Sequence, residues 1–107
     1  MNILFAGSPK SSSKILKYLA GLKEVCIKGV ITQPDKRGKR GGDLKDSEVS
    51  KVANSLHLKV LKPISLDERI FKDEIESLDI DFLVVVAYGK LLPKWLLRHP
   101  KIMPVNV

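Results

Sequence analysis

The stretch DFLVVVA, residues 81–87, constrains this chain more than any other. Its apolar residues run on without alternation, so a strand built from them has no face to give to water. That is the requirement of a strand inside a parallel sheet, and this one is expected to be the central strand. Parallel neighbours are joined only through crossovers, usually helices, so helical segments should lie on either side of it.

The flanking sequence supplies them. NILFA is a short apolar run ended by Gly7 and Pro9, and SSSKILKYLAGL follows with Ile15, Leu16, Leu19 and Leu22 at helical spacing and serines able to cap. EVCIKGVIT is β-branched and ends at the turn signal QPD, which predicts a second strand with Cys26 as a small core residue. KRGKRGGDLKD has no periodicity and reads as a loop. From Ser47, Val49, Val52, Ala53 and Leu56 share a helical face, and KVLKP is a brief strand closed by Pro63. SLDERIFKDEIESLDI opens on a capping-box pair, Ser65 and Glu68, and turns Ile70, Phe71, Ile75 and Leu78 inward. After residues 81–87, KLLPKWLLRH is a short helix with Pro93 near its first turn, and KIMPVNV opens a last strand. Strands alternating with helices imply right-handed crossovers and an α/β, Rossmann-like, open and mostly parallel sheet with flanking helices. Ligands of such sheets bind beyond the carboxyl ends of the strands. Three loops therefore matter, GSP, QPDKRGKRGGD and AYGKLL, with Asn106 emerging at the same edge.

The chain of 107 residues fits one domain, and 44% apolar content suffices for a core. Its one cysteine cannot form an intramolecular disulfide, no apolar run approaches a membrane span, and the short apolar N-terminus is not a signal peptide. The chain therefore reads as cytosolic, or cytoplasmic. A net charge of +7 points to an anionic partner.

AGSPKSSS has one glycine where a dinucleotide fingerprint needs three, which argues against a nicotinamide cofactor. Gly7 and Ser8 offer backbone amides and a hydroxyl to an anionic group, although a tight turn with a helix cap accounts for them equally well. In the second loop Lys36, Arg37, Lys39 and Arg40 are interrupted only by Gly38, and Gly41 and Gly42 follow. A hairpin of cations at a ligand-binding edge has phosphates as its natural partner. His57 and His99 both read as surface or cap residues, and no set of residues suggests a metal site.

Together ILFAGSP, GVITQPDKRGKRGGDL, DFLVVVAYGKLLPKWLL and the closing VNV resemble, in order and spacing, the N-terminal catalytic domain of methionyl-tRNA formyltransferase, over the whole chain. VVVAYG followed by LLP is the specific part, and TQPD before a basic, Gly-containing loop separates the family from relatives that formylate small nucleotides. The resemblance implies formyl transfer from 10-formyltetrahydrofolate to the amino group of initiator methionyl-tRNA in translation initiation. It implies a reduced folate and that tRNA as partners, no DNA, no membrane, and a monomer. Ala87, Tyr88, Gly89, Leu91 and Leu92 then correspond to the wall that holds the pterin, largely by main-chain groups. Gly7 and Ser8 face the acceptor end, and the loop with Arg37, Lys39, Arg40 and Gly41 engages the tRNA acceptor arm. Asn106 matches the asparagine of the family's Asn-x-His signature, whose amide would donate to the formyl oxygen as it becomes an oxyanion.

On the same resemblance the signature's histidine should come directly after Val107, with an aspartate far downstream. Residues 1–107 are thus expected to be a partial catalytic domain, without its C-terminal part or the C-terminal tRNA-binding domain. It is expected to be inactive, with Asn106 on a frayed terminus. The alternatives are a non-catalytic RNA- or folate-binding remnant and part of a sugar-nucleotide or purine-pathway formyltransferase.

Overall fold

The computed structural model describes residues 1–37, 42 and 44–107. Five strands form one sheet: β1 (Asn2–Gly7), β2 (Cys26–Ile31), β5 (Val60–Leu61), β6 (Phe82–Val86) and β7 (Met103–Asn106), in the order β5-β2-β1-β6-β7 with every neighbouring pair parallel. A separate antiparallel pair, β3 (Lys36–Arg37) and β4 (Leu44–Lys45), forms the base of the basic hairpin. Among the described residues four helices complete the fold: α1 (Lys10–Ala20), α2 (Glu48–Ser55), α3 (Arg69–Glu76) and α4 (Lys94–Leu97).

Side chains on successive strand residues go to opposite faces, and each face has its own apolar cluster. Ile3, Phe5, Val30, Val84 and Val86 meet Leu16 of α1 and Val49 and Ala53 of α2. Leu4, Ala6, Ile31 and Leu83 meet Phe71 and Ile75 of α3 and Leu96 of α4. The sheet is therefore covered on both sides, as residues 82–86 demand. The middle position belongs to β1, however, with β6 one place away between β1 and β7. Burial on both faces identifies an interior strand, a condition that both β1 and β6 satisfy.

Four local expectations are corrected. Cys26 is exposed, because it opens β2 where only the last three residues of the strand are buried. The serines after Pro9 do not cap α1. The helix starts at Lys10 with Pro9 at the N-cap, so Ser12 and Ser13 fall on its buried side, where Ser12 donates to the carbonyl of Val86 and Ser13 to that of Lys10 at 2.6 Å. Ile70 is 76% exposed, since Phe71 and Ile75, four residues apart, take the buried face of α3 and the neighbouring Ile70 is turned about 100° away from Phe71. Glu68 still reaches back, accepting from the amides of Ser65 and Ile64 at 2.9 and 3.0 Å, around a turn that precedes the helix. Finally, Asn106 is placed in a strand. It pairs opposite Val85 in β7, and the amide of Val107 donates to the Val85 carbonyl at 2.9 Å. Pro104 is accommodated because β7 has a pairing partner on one side only among the described residues.

Candidate functional site

Strand order reverses at β1: β2 and β5 lie to one side, β6 and β7 to the other. Beyond the carboxyl ends of β1, β2 and β6 lies a cleft of about 530 Å³, within the usual range for a small-molecule pocket. Its lining comes from three loops and the hairpin base, among them Ser8, Gln33, Lys36, Lys45, Ala87 and Gly89.

The wall after β6 is unusual backbone. Ala87 has φ 50° and Gly89 φ 96°. A non-glycine residue in the left-handed region carries strain that its surroundings must hold in place, and such residues gather at functional sites. A Cβ on Gly89 would also come within 3.2 Å of Gln33 Nε2, so glycine fits both the turn and the approach. Between them, Tyr88 is divided. Its carbonyl accepts from Gln33 Nε2 at 2.9 Å and lies 3.5 Å from Ser8 Oγ, while its ring is 2% exposed and packs in the apolar cluster with Leu61, Leu66 and Phe71. Its hydroxyl has no hydrogen-bond partner among the described residues, and burial pushes the phenol up to about 12. The chain thus offers the cleft main chain here, not a phenol.

A polar seam joins this wall to the other loops. Ser8 Oγ accepts from the Gln33 amide at 3.1 Å and lies 3.4 Å from Thr32 Oγ1, which is 2.5 Å from Ser47 Oγ. Ser47 caps α2 by accepting from the Ser50 amide at 3.0 Å, and the Val49 amide donates to the Ser8 carbonyl at 3.2 Å. Lys62, just past β5, holds both legs of the hairpin. Its ammonium binds Asp35, directly before β3, at 2.5 Å and also Asp46, directly after β4. The Lys62 ammonium holds the Asp46 carboxyl below its ordinary value. Burial opposes the charge on Lys62, but the two carboxylates outweigh it and raise its pKa.

The expected site residues divide as follows. Ser8, Ala87, Tyr88 and Gly89 share the cleft. Gly7 is buried beneath it, pressed against β6 and α1. Leu91 and Leu92 line a separate hollow of about 360 Å³ with Ile64, Leu66 and Pro93, and Leu91 is 96% exposed. Asn106 is exposed on β7, one strand beyond β6, and is not part of the cleft lining. The backbone of Arg37 belongs to β3, whereas Lys39, Arg40 and Gly41 lie outside the described residues. Thr32, Gln33, Ser47 and the Asp35, Lys62, Asp46 cluster were not foreseen as site residues. Their signal was present, since Thr32 and Gln33 are polar residues directly following a β-branched strand. His57 is exposed at φ 58° after α2, and His99 Nε2 lies 2.8 Å from the Leu78 carbonyl, so both serve local structure. No helix among the described residues is long and apolar enough to cross a membrane.

The formyl transferase family matches residues 1–107. A methionyl-tRNA formyltransferase of Prochlorococcus marinus strain AS9601 is 39% identical over 102 residues, covering 94% of this chain and 31% of the relative. Those of Mycoplasmopsis pulmonis strain UAB CTIP and Clostridioides difficile strain 630 are each 38% identical over 107 residues, covering all of this chain and 36% and 34% of the relatives. The chain spans about a third of the length of these curated relatives.

Proposed function

This chain belongs to the formyl transferase family, and from that premise we propose that it carries the formyl-donor wall and the RNA-facing hairpin of an enzyme that formylates methionyl initiator tRNA from 10-formyltetrahydrofolate. In that reaction the amino nitrogen attacks the formyl carbon, and the formyl oxygen takes up negative charge. The bond from that carbon to N10 of the folate then breaks as the proton released by the amine passes to N10. Asn106 is the proposed donor to the oxyanion through its side-chain amide, an interaction worth roughly 3 kcal/mol in a finished, water-excluded site. Ala87, Tyr88 and Gly89 are proposed to meet the pterin through main-chain groups, with Leu91 and Leu92 supplying apolar contact. Lys36, Arg37, Lys39 and Arg40 are proposed to take phosphates of the acceptor arm, with Gly41 part of the same tRNA-binding loop.

The observation that carries this reading is the backbone at residues 87–89, where positive φ at Ala87 and Gly89 is kept at the floor of the cleft beside the hairpin. At Ala87, which unlike Gly89 carries a Cβ, such backbone costs roughly 1–3 kcal/mol, and residues of this kind gather at functional sites. Titration with 10-formyltetrahydrofolate, followed by amide NMR, should move the signals of Ala87, Tyr88, Gly89 and Leu92. Shifts scattered over the surface with none in this segment would overturn the reading.

A further inference from the structure

Helix α1 presents a solvent face of one sign. Lys10, Lys14 and Lys17 recur at i, i+4 and i+7, and all are exposed. The helix holds no acidic residue, and Tyr18 lies 68% exposed beside Lys17. The ordinary fate of a charged helix face is different, as α3 illustrates: there Arg69 meets Asp73 at 3.8 Å and Glu74 meets Lys59 at 2.9 Å. Among the described residues none of the three α1 lysines has such a partner within 4.0 Å.

The arrangement also works against the helix. Lys10 occupies the first turn, where the positive end of the macrodipole repels a cation, and the Pro9 N-cap contributes no side-chain hydrogen bond. A helix that needed only to fold would carry a carboxylate there. An aromatic side chain left in water along one flank of the lysine stripe adds a second departure from the needs of stability. Cations flanked by an exposed aromatic are a combination that takes up a nucleic acid strand, the cations for phosphate and the ring for a base.

Position supports the same partner. The helix starts from Pro9 at the rim of the cleft and, at about 1.5 Å per residue, carries its lysines about 10 Å away from it. Three cations spread along that length can meet successive phosphates of one strand.

We propose that the exposed face of α1, formed by Lys10, Lys14, Lys17 and Tyr18, is a second RNA-contact surface that continues the backbone track leading away from the cleft. This inference rests on the reading that the substrate is a tRNA. Tyr18 provides a stacking face for an unpaired base, and the lysines bind phosphates without reading sequence.

The test uses the full chain and a short RNA hairpin with a single-stranded 3′ end, with affinity measured between about 50 and 200 mM salt. Lys14→Glu/Lys17→Glu should weaken binding by at least about tenfold and make the salt dependence shallower by about 1.5 in the log–log slope. Tyr18→Ala should cost about tenfold for the hairpin with its single-stranded end and little for a blunt one. Lys10→Glu gives the readout a purely structural role would not produce, because melting temperature should rise while RNA affinity falls. Unchanged affinity and slope in the α1 variants, with a slope made shallower by Arg37→Ala/Arg40→Ala, would overturn this inference and leave the proposed function standing. No RNA binding by the unaltered chain would overturn both. If the α1 variants keep RNA affinity but lose binding to phosphatidylserine vesicles, the face belongs to a membrane and the inference fails.

Discussion

Replacing Gly7 by alanine tests how the cleft is held together. A Cβ at this position would stand 2.6 Å from the Val86 carbonyl oxygen, 2.9 Å from Ser12 Cβ and 3.1 Å from Phe5 Cε1. None of the three can retreat by rotating. The oxygen is strand backbone, and Phe5 and Ser12 are fully buried. Relief must come from parting β1 from β6 and moving α1 back, which stretches the bond from the Ser12 hydroxyl to that same carbonyl. Overpacking costs about 1–3 kcal/mol, and a buried carbonyl robbed of its donor costs a similar amount. Backbone movement that eases one aggravates the other, so a total of about 3 kcal/mol is expected. That is a large part of the roughly 5–15 kcal/mol that stabilises a domain, and it corresponds to a melting temperature lowered by about 15 °C. Urea denaturation of Gly7→Ala beside Gly21→Ala is the assay. At Gly21, with φ −83°, a Cβ meets nothing nearer than 3.5 Å, so alanine should be neutral or stabilise by about 0.5 kcal/mol. Equal slopes with a large drop in midpoint for Gly7→Ala alone are expected. Coincident midpoints for the two variants would refute the reasoning.

Two further outcomes follow from ionisable groups. The Tyr88 phenol is pushed up to about 12 by burial, above its ordinary 10.0, so the folded chain keeps a proton that the unfolded chain releases; the stability this represents is whole below pH 10.0 and lost as pH rises towards 12. Tyr88→Phe should remove that part of the alkaline loss and, because the hydroxyl is unpartnered among the described residues, leave stability at neutral pH unchanged or about 1 kcal/mol higher, as paired denaturation curves at neutral and alkaline pH would read. Asp46 is held below 3.8 chiefly by the Lys62 ammonium, so its contribution is present above that value and fades as pH falls through the lowered one. Asp46→Asn should flatten the acid limb of the stability profile, and a limb superimposable on that of the unaltered chain would count against the Lys62 clamp.

The fold was legible where burial is decided by pattern. Residues 82–86, the β-branched end of β2 and the spacing of Val49 with Ala53 each announce two covered faces or one, and the parallel sheet with helices on both sides follows from them. What pattern leaves open is the exact start of an element. α3 begins at Arg69 rather than at Ser65, and of the apolar residues expected inward Phe71 and Ile75 take the covered face while Ile70 goes to water. In α1 the serines have the right chemistry for a cap, but Pro9 takes the position first and the hydroxyls turn to carbonyls. Cys26 illustrates a third limit, because an apolar run can begin before the sheet is covered.

The site was legible in its loops and less so in its contacts, and Tyr88 explains the difference. The resemblance points to main-chain contacts at Ala87, Tyr88 and Gly89, but the sequence does not say where the ring of Tyr88 goes. The ring goes to the core, where Leu61, Leu66 and Phe71 make burial favourable, and this anchoring turns the carbonyl of the same residue towards Gln33 and Ser8. Left-handed backbone on either side is what allows one residue to face both ways. The apolar anchor therefore positions the polar wall, and core packing together with the hydrogen bonds from Gln33 and Ser8 holds the left-handed turn at Ala87. At that residue the core takes the ring and the cleft is offered main chain alone, an arrangement that no property of a tyrosine side chain announces.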